Sequence, residues 1–233
     1  MLRHSLTISP IPLHRAAAVM ISVAGAAMLL AGSAIADDAA TGAARARELV
    51  EHGRLTDGIV ACVACHRDSG QGDAESAFGN LTGLTETYIA KQLADYRSGI
   101  RENRVMQVIA AKLTDADIAA LAGYYSKLEA SDAKSPLPAP PAIGVTLAEQ
   151  GDAAREIPSC VTCHNVAALA GSDTIPNIAG QHALYISRQL EAWQTGARNN
   201  DPGSIMSSIA KKLTADEINA VALYFARQKR KAP

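Results

Sequence analysis

Apolar positions recur with a helical period in two stretches of the chain that echo one another. Tyr88, Ile89, Gln92, Leu93 and Tyr96 share one helical face, with Thr85 placed to cap the start and Gly99 to stop the end. Tyr185, Ile186, Gln189, Leu190 and Trp193 repeat that face, which predicts a second helix from about 183 to 195, ending at Gly196. Thr114-x-x-Asp117 and Thr214-x-x-Glu217 have capping-box form, Asp being the weaker match. Ile118, Leu121, Ala122 and Tyr125 follow the first box at i, i+3, i+4 and i+7; Ile218, Val221, Ala222 and Phe225 follow the second. A further helix is expected over roughly 43–51. No strand-like alternation and no hairpin signal occur, so the class is all-α.

The first 36 residues read differently. Arg3 and Arg15 stand at the start, no acid is present, and an apolar run through Val19, Ile21, Val23, Leu29 and Leu30 leads to Ser33-Ala34-Ile35-Ala36. A basic start, an apolar middle and an A-x-A end predict a secretory signal peptide over 1–36. Uncleaved, the same stretch is long enough to anchor the chain in a membrane. Either way the remainder is exported, and the expected location is the periplasm. The exported part carries 20 basic and 23 acidic residues. That balance offers no basic patch for nucleic acid. Aromatic content is only 4%, so the core must be filled by aliphatics, alanine, or a group the chain does not encode.

The echo extends over a whole module. Cys62-Val63-Ala64-Cys65-His66 returns as Cys160-Val161-Thr162-Cys163-His164, and Asn80-Leu81-Thr82-Gly83 as Asn177-Ile178-Ala179-Gly180. Arg101 and Asn103 match Arg198 and Asn200, Met106 matches Met206, and Lys112-Leu113-Thr114 matches Lys212-Leu213-Thr214. Gly53 and Gly151 stand at equal distances before the first cysteine of each motif. Between the copies Pro136, Pro138, Pro140 and Pro141 favour a stiff connector. The expected organisation is 37–130, a linker over 131–144, and 145–233.

Cys-x-x-Cys-His is the attachment sequence for c-type haem. Two thiols three positions apart reach one porphyrin edge, and the next residue brings its imidazole to the iron. A thioredoxin-like site would need a βαβ setting, and a zinc site a fourth ligand. Two such motifs at matched places, in a chain with no other cysteine, predict two covalently bound haem c groups held by Cys62, Cys65, Cys160 and Cys163. Outside the presequence the only methionines are Met106 and Met206, which makes them the expected sixth ligands opposite His66 and His164. Met/His ligation raises the potential and closes both axial sites, so the expected role is electron transfer, with no catalytic residues. His52 and His182 have no counterparts and read as solvated surface residues. The pairs Arg101/Arg198 and Lys91/Arg188 are candidates to offset haem propionates, with a solvated helix face the equal alternative. Tyr88/Tyr185 and Tyr96/Trp193 are read as ordinary packing, or as donors toward propionates or the other module.

These residues resemble the dihaem class I cytochromes of the cytochrome c4 type, over essentially all of 37–233. The marks are the doubled Cys-x-x-Cys-His, the Tyr-Ile-x-x-Gln-Leu helices followed by glycine, the late methionines and the Lys-Leu-Thr-x-x-[Asp/Glu] lead into the last helix. The resemblance implies two cytochrome c-like domains related by a pseudo-twofold axis, with haems meeting near their interface. It also implies a periplasmic carrier between respiratory donors and a terminal oxidase or reductase, with peripheral contact to the membrane. An electron-accepting subunit of a larger dehydrogenase is the alternative role, and a dihaem peroxidase-type or thiosulfate-oxidising enzyme a further one. One position departs from the family pattern. A proline whose carbonyl orients the proximal histidine is present as Pro176, but its counterpart is Gly79, which places that hydrogen bond of the first module in question.

Overall fold

A computed structural model describes residues 40–131, 137–164 and 173–230. The predicted signal peptide and residues 132–136 of the proline-rich connector lie outside the described residues. Residues 42 to 230 belong to one compact unit. Among the described residues there is no strand, only four isolated bridges.

Five helices occur twice in the same order. The first set is α1 (40–51), α2 (Val63–His66), α3 (Glu86–Ser98), α4 (Met106–Ala110) and α5 (Asp115–Tyr125). The second is α6 (Ala142–Glu149), α7 (Cys160–His164), α8 (Ala183–Thr195), α9 (Ile205–Ala210) and α10 (Ala215–Ala226). α3 starts because the Thr85 side chain accepts from the Tyr88 N–H, and it stops where Gly99 turns left-handed at φ 85°. α8 ends the same way at Gly196, φ 81°. Both capping boxes close, that of α5 with Asp117 as fully as that of α10 with Glu217. α6 begins directly after Pro141, so 142–144, read as the end of the linker, are its first turn.

Two cores form, one per copy. Leu49, Ile59, Ile89, Leu113, Ile118 and Leu121 fill the first; Leu147, Ile157, Ile186, Leu213, Ile218 and Val221 fill the second at matched positions. Each terminal helix packs on the long one, α5 on α3 and α10 on α8. α6 crosses α10 so closely that a Cβ on Gly144 would lie 2.4 Å from the Ala220 carbonyl oxygen. An arginine from the turn after the first helix of each copy grips the boxed acid: Arg54 to Asp117 at 2.9 Å and Arg155 to Glu217 at 2.7 Å.

Candidate haem sites and the contact between modules

Each Cys-x-x-Cys-His folds into a single helical turn. Cys62 stands at the N-cap of α2 and Cys160 opens α7, and their thiols donate to the carbonyls of Leu49 and Leu147 at 3.4 and 3.5 Å. Burial pushes the Cys62 thiol up and the Cys160 thiol up to about 11. Cys65 is half-buried and Cys163 exposed.

The histidines follow at the end of the turn. His66 Nδ1 lies 3.0 Å from the Gly79 carbonyl, and His164 Nδ1 lies 2.9 Å from that of Pro176. A carbonyl only accepts, so Nδ1 carries the proton and Nε2 is the bare nitrogen in both modules. Burial lowers both imidazoles, and the carbonyls oppose that more weakly. Neutral rings with a free Nε2 are the ligand form. The doubt attached to Gly79 is thereby corrected: the acceptor is a backbone carbonyl, which glycine supplies as well as proline.

Met106 opens α4 and Met206 sits in the first turn of α9. Asn103 fixes the first by accepting from the N–H groups of Val105 and Met106, both at 3.0 Å. In the second copy Asp201 takes over that work, accepting from the Ser207 N–H at 2.9 Å. The residues inserted before Met206 thus free Asn200 for another contact.

One cavity of about 450 Å³ runs through both modules, and Cys62, Cys65, His66, Met106, Cys160, His164 and Met206 all line it. Cys163 does not. The remaining lining is largely apolar, with Leu49, Ile89, Leu121, Ile186, Leu190 and Phe225 among it. These residues fit a pair of haems: both thiols of the first motif and the first thiol of the second, with Cys163 one helical turn on at the exposed side, and in each module a bare imidazole nitrogen, a thioether and an apolar enclosure. Two buried donors on the same lining, Arg101 Nε and Trp193 Nε1, have no protein acceptor, and a carboxylate-bearing ring would supply one.

Between the copies the expectations of solvated side chains fail. Arg101 and Arg198 are 2% and 5% exposed and lie side by side in a short antiparallel bridge. Arg101 donates to Gln92 of its own module at 2.7 Å and, across the contact, to the Tyr185 hydroxyl at 2.8 Å and Gln189 at 2.6 Å. Arg198 mirrors it, donating to Gln189 at 3.0 Å and across to Tyr88 at 3.3 Å and Gln92 at 3.2 Å. The guanidiniums stack on Tyr96 and Trp193, 4.5 and 3.9 Å from the ring centroids. Each of those aromatics thus backs, within its own module, the arginine that reaches across to the other.

The mirror breaks at Asp95, whose counterpart is Ala192. Asp95 accepts from Asn200 at 2.6 Å and pairs with Lys91, which also donates to the Asn200 carbonyl at 2.8 Å. Arg188, the counterpart of Lys91, is exposed. His182 is also not a surface residue: it is 5% exposed, with Nε2 2.7 Å from the Gln71 carbonyl of the other module. His52 is exposed, as expected. Sequence reasoning assigned no role to Gln92, Gln189, Asp95 or Asn200. The signal for the glutamines was present, since each is a polar residue repeated on an otherwise apolar helical face.

Comparison with known proteins agrees with this geometry. Residues 54–129 match the family model described as cytochrome c. A thiosulfate dehydrogenase electron acceptor of Stutzerimonas stutzeri (strain A1501) is 39% identical over 186 residues, 79% of this chain and 86% of the relative. Cytochrome c4 of Pseudomonas aeruginosa is 44% identical over 165 residues, 70% of this chain and 81% of the relative. The solved thiosulfate dehydrogenase TsdBA from Marichromatium purpuratum superposes with TM-score 0.73 at 42% identity. It covers 79% of this chain, which spans 40% of that longer one.

Proposed function

This chain belongs to the dihaem class I c-type cytochromes of the cytochrome c4 family, and we propose that it serves in the periplasm as the electron acceptor of a thiosulfate dehydrogenase, passing the electrons on toward a terminal oxidase or reductase. It is an electron-transfer protein carrying two covalently bound haem c groups. In the proposed arrangement Cys62 and Cys65 attach one haem between His66 and Met106, and Cys160 and Cys163 attach the other between His164 and Met206. The modules holding them are 37–130 and 145–233.

When bound, each haem supplies one-electron exchange between ferric and ferrous iron. The protein's work is to hold everything else still. Gly79 and Pro176 fix the imidazole planes through Nδ1 and raise the basicity of Nε2. Asn103 and Asp201 fix the turns that present the methionines. The apolar walls exclude water, and His66 with Met106 and His164 with Met206 would hold each iron so that no place is left for peroxide or oxygen. Arg101 and Arg198, buried with only neutral direct acceptors, supply the positive charge that offsets propionates.

The observation that carries this reading is one cavity lined by His66 and Met106 of the first module and by His164 and Met206 of the second, which supports two neighbouring centres. Spectroelectrochemical titration of the purified holoprotein tests it. Two one-electron centres are expected, with a sulfur-to-iron charge-transfer band that Met106→Leu and Met206→Leu each abolish at one haem. A variant that keeps the full band refutes the ligand set of its module. Rapid reduction of the chain by a thiosulfate dehydrogenase turning over thiosulfate supports the assigned donor; its absence, with chemical reductants still effective, removes it.

A further inference from the structure

The peptide unit joining Gly79 to Asn80 is held from three sides. Its carbonyl accepts from His66 Nδ1 at 3.0 Å. Its N–H donates to the side-chain oxygen of Gln181, in the second module, at 2.8 Å, and the Gln181 amide returns a bond to the Asn80 carbonyl at 2.9 Å. The ring of Tyr185, also in the second module, lies against Gly79. A Cβ there would stand 2.8 Å from Cε2, 3.0 Å from Cζ and 3.1 Å from Cδ2. Those are ring carbons that move only together, and the Tyr185 hydroxyl is held by Arg101 at 2.8 Å. The glycine that departs from the family's proline is therefore the seat of an aromatic ring from the other module.

We infer that Gln181 and Tyr185 are positioning residues for the proximal histidine of the first haem, so that the second module tunes the iron of the first. The chain of dipoles runs from the Gln181 oxygen through the Asn80 N–H and Gly79 carbonyl to the His66 Nδ1–H. Hydrogen bonds in such a chain polarise one another. A stronger acceptor at Nδ1 makes Nε2 a better donor to iron and favours the ferric state. Losing the Gln181 acceptor, or tilting the peptide away from His66, favours the ferrous state at the first centre alone.

The inference rests on His66 as an iron ligand. His66→Ala tests that separately, because an unchanged low-spin spectrum of both haems would refute the ligation without bearing on Gln181 or Tyr185. Gln181→Leu and Gly79→Ala are then titrated in the holoprotein. A Met206→His background, which draws the second centre to lower potential, keeps the two waves apart. At the midpoint of the unvaried first centre, each variant is expected to raise the ferrous-to-ferric ratio there by about threefold or more, with the second centre unmoved. Two variants of different kind guard against a folding defect in either. Equal movement of both centres, or an unmoved first centre in both variants, overturns the inference.

Discussion

Replacing Asp117 with Asn removes one charge from the interior of the first module and changes little else in shape. The Asp117 side chain is fully buried. One oxygen accepts from the Thr114 N–H at 2.9 Å and from Arg54 Nη2 at 2.9 Å; the other faces Arg45 at 3.2 Å and Arg54 Nη1 at 3.3 Å. The ion pair is lost with the charge, and turning the amide nitrogen toward the Thr114 N–H, which spares the contacts of the other oxygen, loses the helix-cap bond as well. The cap is worth about 1 kcal/mol. Because Arg54 and Arg45 remain partly solvated, the broken ion pair costs nearer the surface limit of about 1 kcal/mol than the buried limit of about 3–5 kcal/mol. The expected loss at pH 6 is about 2 kcal/mol. Burial alone would push this carboxyl up, but the bonds from Arg54, Thr114 and Arg45 outweigh it and hold it well below the usual carboxylate range. The unfolded carboxyl titrates near the ordinary value of about 3.9, so the stability it contributes is present above about pH 4 and lost as pH falls through the depressed folded value. Asn has nothing to titrate there. Urea unfolding of both holoproteins, followed by far-ultraviolet circular dichroism at pH 6, 4 and 2.5, measures the difference. A gap below about 0.5 kcal/mol at pH 6, or a gap that stays constant down to pH 2.5, refutes the account.

Two glycines in helices carry opposite expectations. Gly144→Ala drives a Cβ into the Ala220 backbone and is expected to destabilise the second module by about 2 kcal/mol or more, whereas Gly42→Ala meets nothing within 4 Å and should stabilise α1 by about 0.5–1 kcal/mol; thermal unfolding ranks them, and equal midpoints would refute the close crossing of α6 and α10. Burial lowers the His182 imidazole, with the Gln71 carbonyl and Asp73 opposing and Arg230 adding to the effect. Its contribution to stability is therefore whole above about pH 6.5 and declines as pH drops below it. His182→Gln should flatten that decline between pH 7.5 and 5 in urea unfolding, and an unchanged slope would show that this ring does not titrate with folding.

The sequence alone determined whatever depends on near neighbours along the chain. Helix starts at Thr85, Thr114 and Thr214 and stops at Gly99 and Gly196 are local chemistry: a hydroxyl within reach of an N–H two or three residues on, and a residue free to turn left-handed. The apolar faces of α3, α5, α8 and α10 follow from period, and the proposed haem attachment sites from a spacing that a single helical turn converts directly into geometry. Duplication made each of these legible twice, save the Thr85 cap, whose place His182 takes in the second copy. Tertiary structure decided what the two copies do to each other. Arg101, Arg198, Gln92, Gln189, Tyr185 and His182 are polar, and polarity by itself suggests water. They are buried or half-buried because partners about a hundred residues away satisfy them, and period can mark such a position without naming its partner. Gly79 shows the limit most plainly: its place before Asn80 was visible as a departure from proline, but its cause is a ring from the other module, and only folding brings that ring there.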